Sequence, residues 1–513
     1  MYKIFFFLVF TLLLKGGYSQ SPFNKIYDFG FHQNNAYALI EHYNHIYTVG
    51  QLVSEDSIAQ SGIFFAKFDL NGKLIKTNQF IDTLSPYVFF INTNKNIVVL
   101  DTHLYIAPNE IDSYVIGCDL SLDSTFLVSK FEDPQLPEIT NPLTGIVEFP
   151  RNQISVSGIT ISGPLERRGL LTRVNPLSGE TEIDYIEMEG LRISPFKLIT
   201  KSDNTLLALG YATNGFEIEN LDTLYSGIFA IQYDEEFNKI NERFYNESLF
   251  ASGSVFDAVI DSNGDVVLTA IEFIRDTFDF NTNQWLPLNR SSIVKLDSDL
   301  NLKWIKPLND QIFRSNIEKF QSMCESHNQD GYILSGENKT TPGVISEGIL
   351  MKVDTNGDSV WFRTITTLEE RDNDALHDVI KTSDGYYIAT GSRGIRLDND
   401  SISSLTQAWL IKFDENGDIV DLKTSTDNTI ALDIDVKIFP NPSSDIVYIE
   451  QKNISNLAYR LFDNNGQLLV SRANASSYHT FVLDVSGYES GIYFLEIIDQ
   501  NTGRIFTERL VVK

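Results

Sequence analysis

The chain runs to 513 residues with 69 acidic and 40 basic side chains, a formal charge of −29. That balance argues against nucleic acid or an anionic membrane surface as a partner, because phosphate recognition needs basic patches; it suits an extracellular protein kept in solution by carboxylates. The only two cysteines, Cys118 and Cys324, sit in apolar strand contexts without disulfide or metal spacing and read as buried small hydrophobes.

At the start, Met1-Tyr-Lys3 is positive, Ile4 to Leu14 form an unbroken apolar run, and Gly17 to Ser19 offer small residues. The pattern predicts a secretory signal peptide over 1–19, cleaved after Ser19. The run is too short to cross a bilayer comfortably, and no later stretch reaches membrane-helix length, so no membrane span is expected.

From 23 to 425 one phrase recurs with drift. Clear copies are Phe65-Ala-Lys-Phe-Asp-Leu-Asn-Gly72, Ile293-Val-Lys-Leu-Asp297, Leu350-Met-Lys-Val-Asp-Thr-Asn-Gly357 and Leu410-Ile-Lys-Phe-Asp-Glu-Asn-Gly417; weaker ones begin at Val115, Leu171 and Phe229. The spacing, roughly 50 to 63 residues, is that of arrays and propellers. Before each copy comes a strand pair around a tight turn, as in His377-Asp-Val-Ile-Lys-Thr-Ser-Asp-Gly385 and Phe256-Asp-Ala-Val-Ile-Asp-Ser-Asn-Gly264. Each unit thus reads as four short strands, with Asn-Gly and Asp-Gly supplying the positive φ of tight hairpins. Strands apolar on both faces suit sheets stacked face to face. The expected fold is all-β, a seven-bladed propeller with six or eight blades as alternatives. The phrase resembles a bacterial propeller-like repeat family patterned Trp-x-Lys, Asp-x-Ala, Asp-Gly-Gly-Tyr-Ile and Trp-Leu-Val-Lys-Leu-Asp-x-Asn-Gly; Asp374-Ala375 is matched to its Asp-x-Ala step. Phe23 to Tyr27 resembles the outer-strand phrase and is expected to close the ring against the last blade.

The connections between the two hairpins of each unit are long: 51–62, 101–113, 159–169, 211–227, 270–292, 337–348 and 392–407. They share one face, where binding residues accumulate. The candidate binding residues there are Arg167, Arg168, Phe278, Trp285, Arg393 and Arg396, since aromatic and arginine side chains suit glycans or protein anchors. No catalytic constellation, cofactor motif or metal site is expected. The Asp-x-Asn-Gly-Asp runs invite calcium, but glycine falls at the fourth place and hairpin turns explain them better. His42 and His45 lack further ligands, and the acidic cluster Glu369 to Asp374 reads as a solvated loop.

Residues 426–435 read as a linker. From 436 the strands shorten and alternate, which predicts a small C-terminal β-sandwich. Phe439-Pro-Asn-Pro442, Leu461-Phe-Asp-Asn-Asn-Gly466, Asp484-Val-Ser486, Gly491-Ile-Tyr-Phe494 and the basic-ended final strand closely resemble the type A C-terminal sorting domain of type IX secretion cargo. The resemblance implies recognition by the outer-membrane translocon, with Pro440, Asn441, Pro442, Gly466, Gly491, Tyr493 and Lys513 as the sorting signal. It implies a secreted or cell-surface location after leader cleavage. Asp-Ser/Thr-aliphatic triplets at Asp56, Asp222 and Asp400 resemble the O-glycosylation sequon of bacteria with this route. The leading expectation is a non-enzymatic propeller binding a glycan or protein through its long-loop face. An extracellular polysaccharide hydrolase or lyase is the alternative, and a structural envelope component a third.

Overall fold

The computed structural model describes residues 21–54, 62–81, 97–108, 114–130, 143–161, 167–214, 226–246, 257–279, 284–308, 313–314, 318–341, 345–365, 374–394, 405–422, 435–452, 457–463, 468–475, 480–499 and 505–513. Every named element among them is a β-strand. The chain divides into two compact units near residue 424. No helix among the described residues is long and apolar enough to cross a membrane.

The first unit is a succession of antiparallel four-stranded sheets, spanning 33–81, 97–130, 143–186, 192–245, 258–307 and 318–365. In the last sheet the strands of 375–413 are completed by Asn24–Tyr27, which pairs with Thr406–Phe413. Consecutive sheets meet through apolar clusters. Val49 and Phe65 of the first pack on Leu104 and Ile116 of the second, and the same contact recurs along the chain. Leu39 and Phe64 of the first also pack on Ile388 and Leu410 of the last. Last-to-first packing makes the succession a closed cycle, the arrangement of a β-propeller. Covered on both faces, Leu206–Thr213 and Ser226–Tyr233 are buried at every residue.

The recurring phrase is explained by what its residues touch. In Asp354-Thr-Asn-Gly357, Asp354 Oδ1 accepts the amides of Asn356 and Asp358 at 2.8 and 2.9 Å, and Gly357 takes φ +82°. Its carboxylate therefore organises its own turn. The phrase's lysine is buried and ion-paired: Lys295 with Asp261 at 2.9 Å, Lys352 with Glu415 at 2.6 Å. In two outer strands an aromatic lies on the turn glycine of the following sheet; a Cβ on Gly357 would stand 2.9 Å from the Trp304 ring, and one on Gly417 2.9 Å from the Trp361 ring. Phe23, fully buried, covers Gly72 in the same way, and Trp409 Nε1 donates to Asn24 Oδ1 at 2.6 Å. The closing segment thus repeats the contact that joins the fifth sheet to the sixth and the sixth to the last.

Two of the expected loops are instead ladders. Residues 270–279 and 284–292 belong to strands Val266–Asp279 and Gln284–Leu296, paired out to Asp279 and Gln284; 337–341 and 345–348 belong to Gly331–Thr341 and Ile345–Asp354. Val266 to Asp279 contains no glycine or proline and is rich in β-branched and aromatic residues, so nothing ends the pairing.

In the second unit, Asp435–Phe439, Ile446–Lys452 and Thr480–Asp484 form one sheet. Leu468–Ala475, Leu457–Phe462, Gly491–Asp499 and Ile505–Val512 form another. Their alternate residues Val447, Ile449, Leu483, Leu461, Leu495 and Leu510 share one core.

Closure by the N-terminal strand predicts a large cost for Phe23→Ala, about 3–5 kcal/mol in urea unfolding. Phe362→Ala, on a 40% exposed side chain of the sixth sheet's outer strand, should cost under about 1 kcal/mol. Equal losses would mean that closure does not limit stability.

Candidate functional site

Near the start of most of the innermost strands the register slips by one residue, between Ala36 and Ala38, Leu143 and Gly145, Pro195 and Lys197, Phe320 and Ser322, and Leu376 and Asp378. The extra residues are Tyr37, Thr144, Phe196, Gln321 and His377. A bulge re-aims its side chain and is common beside binding sites. These five occupy one level near the long-loop end of the sheets.

Three of them meet across sheet boundaries. The Tyr37 and His377 rings lie 4.7 Å apart, and His377 Nδ1 is 2.7 Å from Gln321 Oε1. His377 Nε2 faces Ser392 Oγ at 3.2 Å. A neutral ring donating from Nδ1 and accepting at Nε2 satisfies both contacts. Burial pushes the His377 imidazole down to about 4, so it stays neutral at ordinary pH. Burial, with the Glu337 carboxylate nearby, pushes the Tyr37 phenol above its usual value, against a hydrogen bond from Asn35. Gln321, 1% exposed, has no partner for Nε2 among the described residues.

One residue further along these strands runs a buried polar belt. Lys197 Nζ sits 2.7 Å from Asp257 Oδ1. Asp257 Oδ2 accepts the Met323 amide at 2.9 Å. Ser322 Oγ lies between Asp257 Oδ2 at 3.0 Å and Asp378 Oδ1 at 2.7 Å and has one proton to give to one of them. Asp378 Oδ2 accepts the Leu39 amide at 2.7 Å. The belt therefore crosses from the fourth sheet to the first, over the seam. Beyond it, towards the short turns, Ile97, Ile199 and Ile260 line a cavity of about 820 Å³ together with Glu148, Thr200 and Asp261.

Asp378, not Asp374, stands at the level of Asp257, which corrects the Asp374-Ala375 match. Asp374 lies just before the strand Ala375–Lys381 and accepts the Gly394 amide at 3.1 Å. The bulge shifts the count, although alignment on the following turns would have paired Phe256-Asp with His377-Asp. Tyr37 and Gln321 carried no signal in composition; only the register reveals them.

Of the rim residues expected from sequence, Phe278 and Trp285 are direct cross-strand partners on the long hairpin of the fifth sheet. Arg167 begins a strand opposite Ile161; Arg168 is exposed, its guanidinium 5.9 Å from the centroid of the Tyr185 ring. Arg393 is half-buried on the last sheet, opposite Gln407. Apart from Phe278 and Trp285, no two of these are paired, and Arg396 lies outside the described residues, as do Gly466, the leader and the three triplets. Cys118 and Cys324 are buried free thiols. His45 Nδ1 is 2.8 Å from the Tyr43 carbonyl oxygen.

In the second unit, Asn441 clips the opening phrase to the final strand. Its Nδ2 donates to the Arg509 carbonyl at 2.7 Å and its Oδ1 accepts the Val511 amide at 2.9 Å. Pro440 and Pro442 flank it. The Lys513 amide donates to the Ser443 carbonyl at 2.9 Å. Gly491 opens the neighbouring strand, and Tyr493 is buried with its hydroxyl 2.8 Å from the Glu489 carbonyl. Motifs some 70 residues apart are thus one surface feature.

His377 takes its proton near 6.5 when unfolded but only near 4 in the fold. The unfolded state therefore binds more protons between these values, and stability falls as the pH drops through them, by on the order of 3 kcal/mol. His377→Gln should shrink the difference between urea midpoints at about pH 7 and about pH 4.5; an unchanged difference would locate the titration elsewhere. Asn441→Ala should speed hydrogen exchange at the Val511 amide and cost about 1–2 kcal/mol in the second unit. Unaltered exchange would show that the clip does not hold the strand.

Residues 437–513 match the family described as secretion system C-terminal sorting domain. The endo-acting ulvan lyase of Formosa agariphila is 24% identical over 137 residues, 26% of this chain and 26% of that protein, so the match spans about a quarter of the relative. Among solved structures, PorZ, an essential bacterial surface component of the type IX secretion system of Porphyromonas gingivalis, is 10% identical with a TM-score of 0.37, covering 95% of this chain and 60% of its own. The polysaccharide lyase Uly1 is 8% identical with a TM-score of 0.42, covering 78% of this chain and 94% of its own. Likeness at this level decides no activity. The chain carries a type IX C-terminal sorting domain behind a β-propeller, which implies export to the cell surface or the extracellular space.

Proposed function

We propose that this protein is a non-enzymatic binding propeller, displayed on the surface or released, that engages a glycan or protein through its long-loop face. The ring has seven blades between residues 23 and 425, supported by the unbroken cycle of apolar interfaces that returns from the last sheet to the first. Residues 1–19 act as the leader, 426–435 as a linker, and 436–513 as a β-sandwich that the translocon reads. The observation that carries the export half is the sorting-domain match at 437–513 with its clipped terminal strand. For the binding half, support comes from the convergence of aromatic, amide and imidazole groups at the loop end of the channel. The ulvan lyase similarity favours polysaccharide cleavage as the second reading.

Fractionation of a type IX host expressing the full chain should find it on the surface or in the medium; a chain ending at Asp435 should stay in the periplasm. Surface delivery of the shortened chain would sink the export reading. Replacing 270–292 with a two-residue turn should abolish capture of glycan or surface protein. Binding that survives the replacement counts against the loop-face reading, and polysaccharide turnover lost on changing a single carboxylate would favour the second reading.

A further inference from the structure

We infer that the arc of Tyr37, Gln321 and His377 is a subsite for the uncharged end of a saccharide, an inference that rests on the binding reading above. The arc is assembled from three sheets consecutive around the ring, and each contributes its bulge residue. Beside it stand Ser392, which faces the imidazole at 3.2 Å, and Asn35, whose Oδ1 accepts from Thr406 Oγ1 at 2.7 Å. Tyr37 and Phe196 are half-buried, so part of each ring remains available to the apolar face of a sugar. Such a mixture of ring faces with amide and hydroxyl groups matches a ligand that alternates C–H faces and hydroxyls.

The unpartnered amide is the second observation. Gln321 Oε1 is held by the imidazole while Nε2 is buried without an acceptor among the described residues. Exchanging the two ends of the amide leaves Oε1 orphaned instead, so one group lacks a partner either way. A buried polar group without a partner costs about 1–3 kcal/mol and calls for a reason. A hydroxyl can donate or accept, so a sugar oxygen fills the vacancy in either orientation once the amide turns towards the channel.

Charge decides the class of sugar. Lys319 stands opposite Glu337 in register, Lys197 lies 2.7 Å from Asp257, and Arg290 donates to Glu272 at 3.0 and 2.8 Å. These cations already face carboxylates, and the imidazole is neutral. At these three positions a uronate or sulfate would have to displace a protein carboxylate to be neutralised; an uncharged residue displaces nothing there.

The full-length protein should be titrated by calorimetry with neutral hexasaccharides (laminari-, xylo- and mannohexaose) and with hexagalacturonate as the anionic probe. The expected result is binding of at least one neutral probe, weakened about tenfold in Tyr37→Ala and about fivefold in Gln321→Leu. Melting curves serve as the folding control, and Tyr37→Leu replaces Tyr37→Ala if the latter does not fold. A purely structural Gln321 would change the melting temperature and leave affinity untouched, which overturns the subsite. So would binding of hexagalacturonate alone. Neutral binding that is indifferent to Tyr37 and Gln321 but lost on replacing 270–292 overturns the subsite and leaves the loop-face reading standing. Absence of binding to every saccharide, together with failed capture of surface proteins, fells both.

Discussion

Apart from one parallel bridge between Gln33 and Thr406 at the seam, the innermost strand of each propeller sheet has a hydrogen-bonded neighbour along one side, so its other edge presents backbone groups to the channel and to the next sheet. Leaving those groups dry and unmatched is costly. The polar belt answers the constraint at the level where the sheets converge: the Met323 and Leu39 amides each end on a carboxylate that belongs to the preceding sheet. Asp257 and Asp378 are fully buried, and their charge is tolerable because each accepts several donors. Apolar packing would hold adjacent sheets together at a range of rotations. A carboxylate that must reach a particular amide of the next sheet allows far fewer, and the Asp378 to Leu39 contact fixes the rotation at the seam where the chain itself does not continue.

How much of this was legible in the sequence follows from the range of the interactions involved. Hairpins were readable because Asp354, Asn356 and Gly357 act within four residues of one another. The closing strand was readable too, since Phe23 to Tyr27 resembles the outer strands whose contact it repeats. Bulges were not. One extra residue leaves composition and alternation almost unchanged, yet it moves His377 out of the ladder and Asp378 into the belt. The long hairpin of the fifth sheet is hidden for a different reason: length alone reads as a loop, whereas the ladder runs on to Asp279 opposite Gln284 with no glycine or proline in Val266 to Asp279 to end it.

The two units manage their surfaces differently. Residues 437–513 hold eight Asp or Glu and seven Lys or Arg, so nearly all of the −29 belongs to the rest of the chain. Mutual repulsion among propeller carboxylates is offset by lysines drawn into the sheets, as with Lys295 between Asp261 and Asp265 at 2.9 and 3.1 Å. The second unit lacks that charge excess. It leaves Phe439, Tyr448 and Val482 in register across one sheet, 45, 40 and 52% exposed.

Polarity along the channel follows from the same geometry. At the loop end the bulges and the second strands contribute Gln321, His377, Glu337 and Ser392, all buried yet polar. At the turn end the bulges have ended, and the lining mixes Ile97, Ile199 and Ile260 with Glu148, Thr200 and Asp261. A hydroxyl-bearing molecule entering from the loops meets aromatic and hydrogen-bonding groups together as it is dehydrated. The bulges that make room for the belt thus also give the channel one end suited to recognition, and that end lies beneath the face where the chain has lengthened its connections.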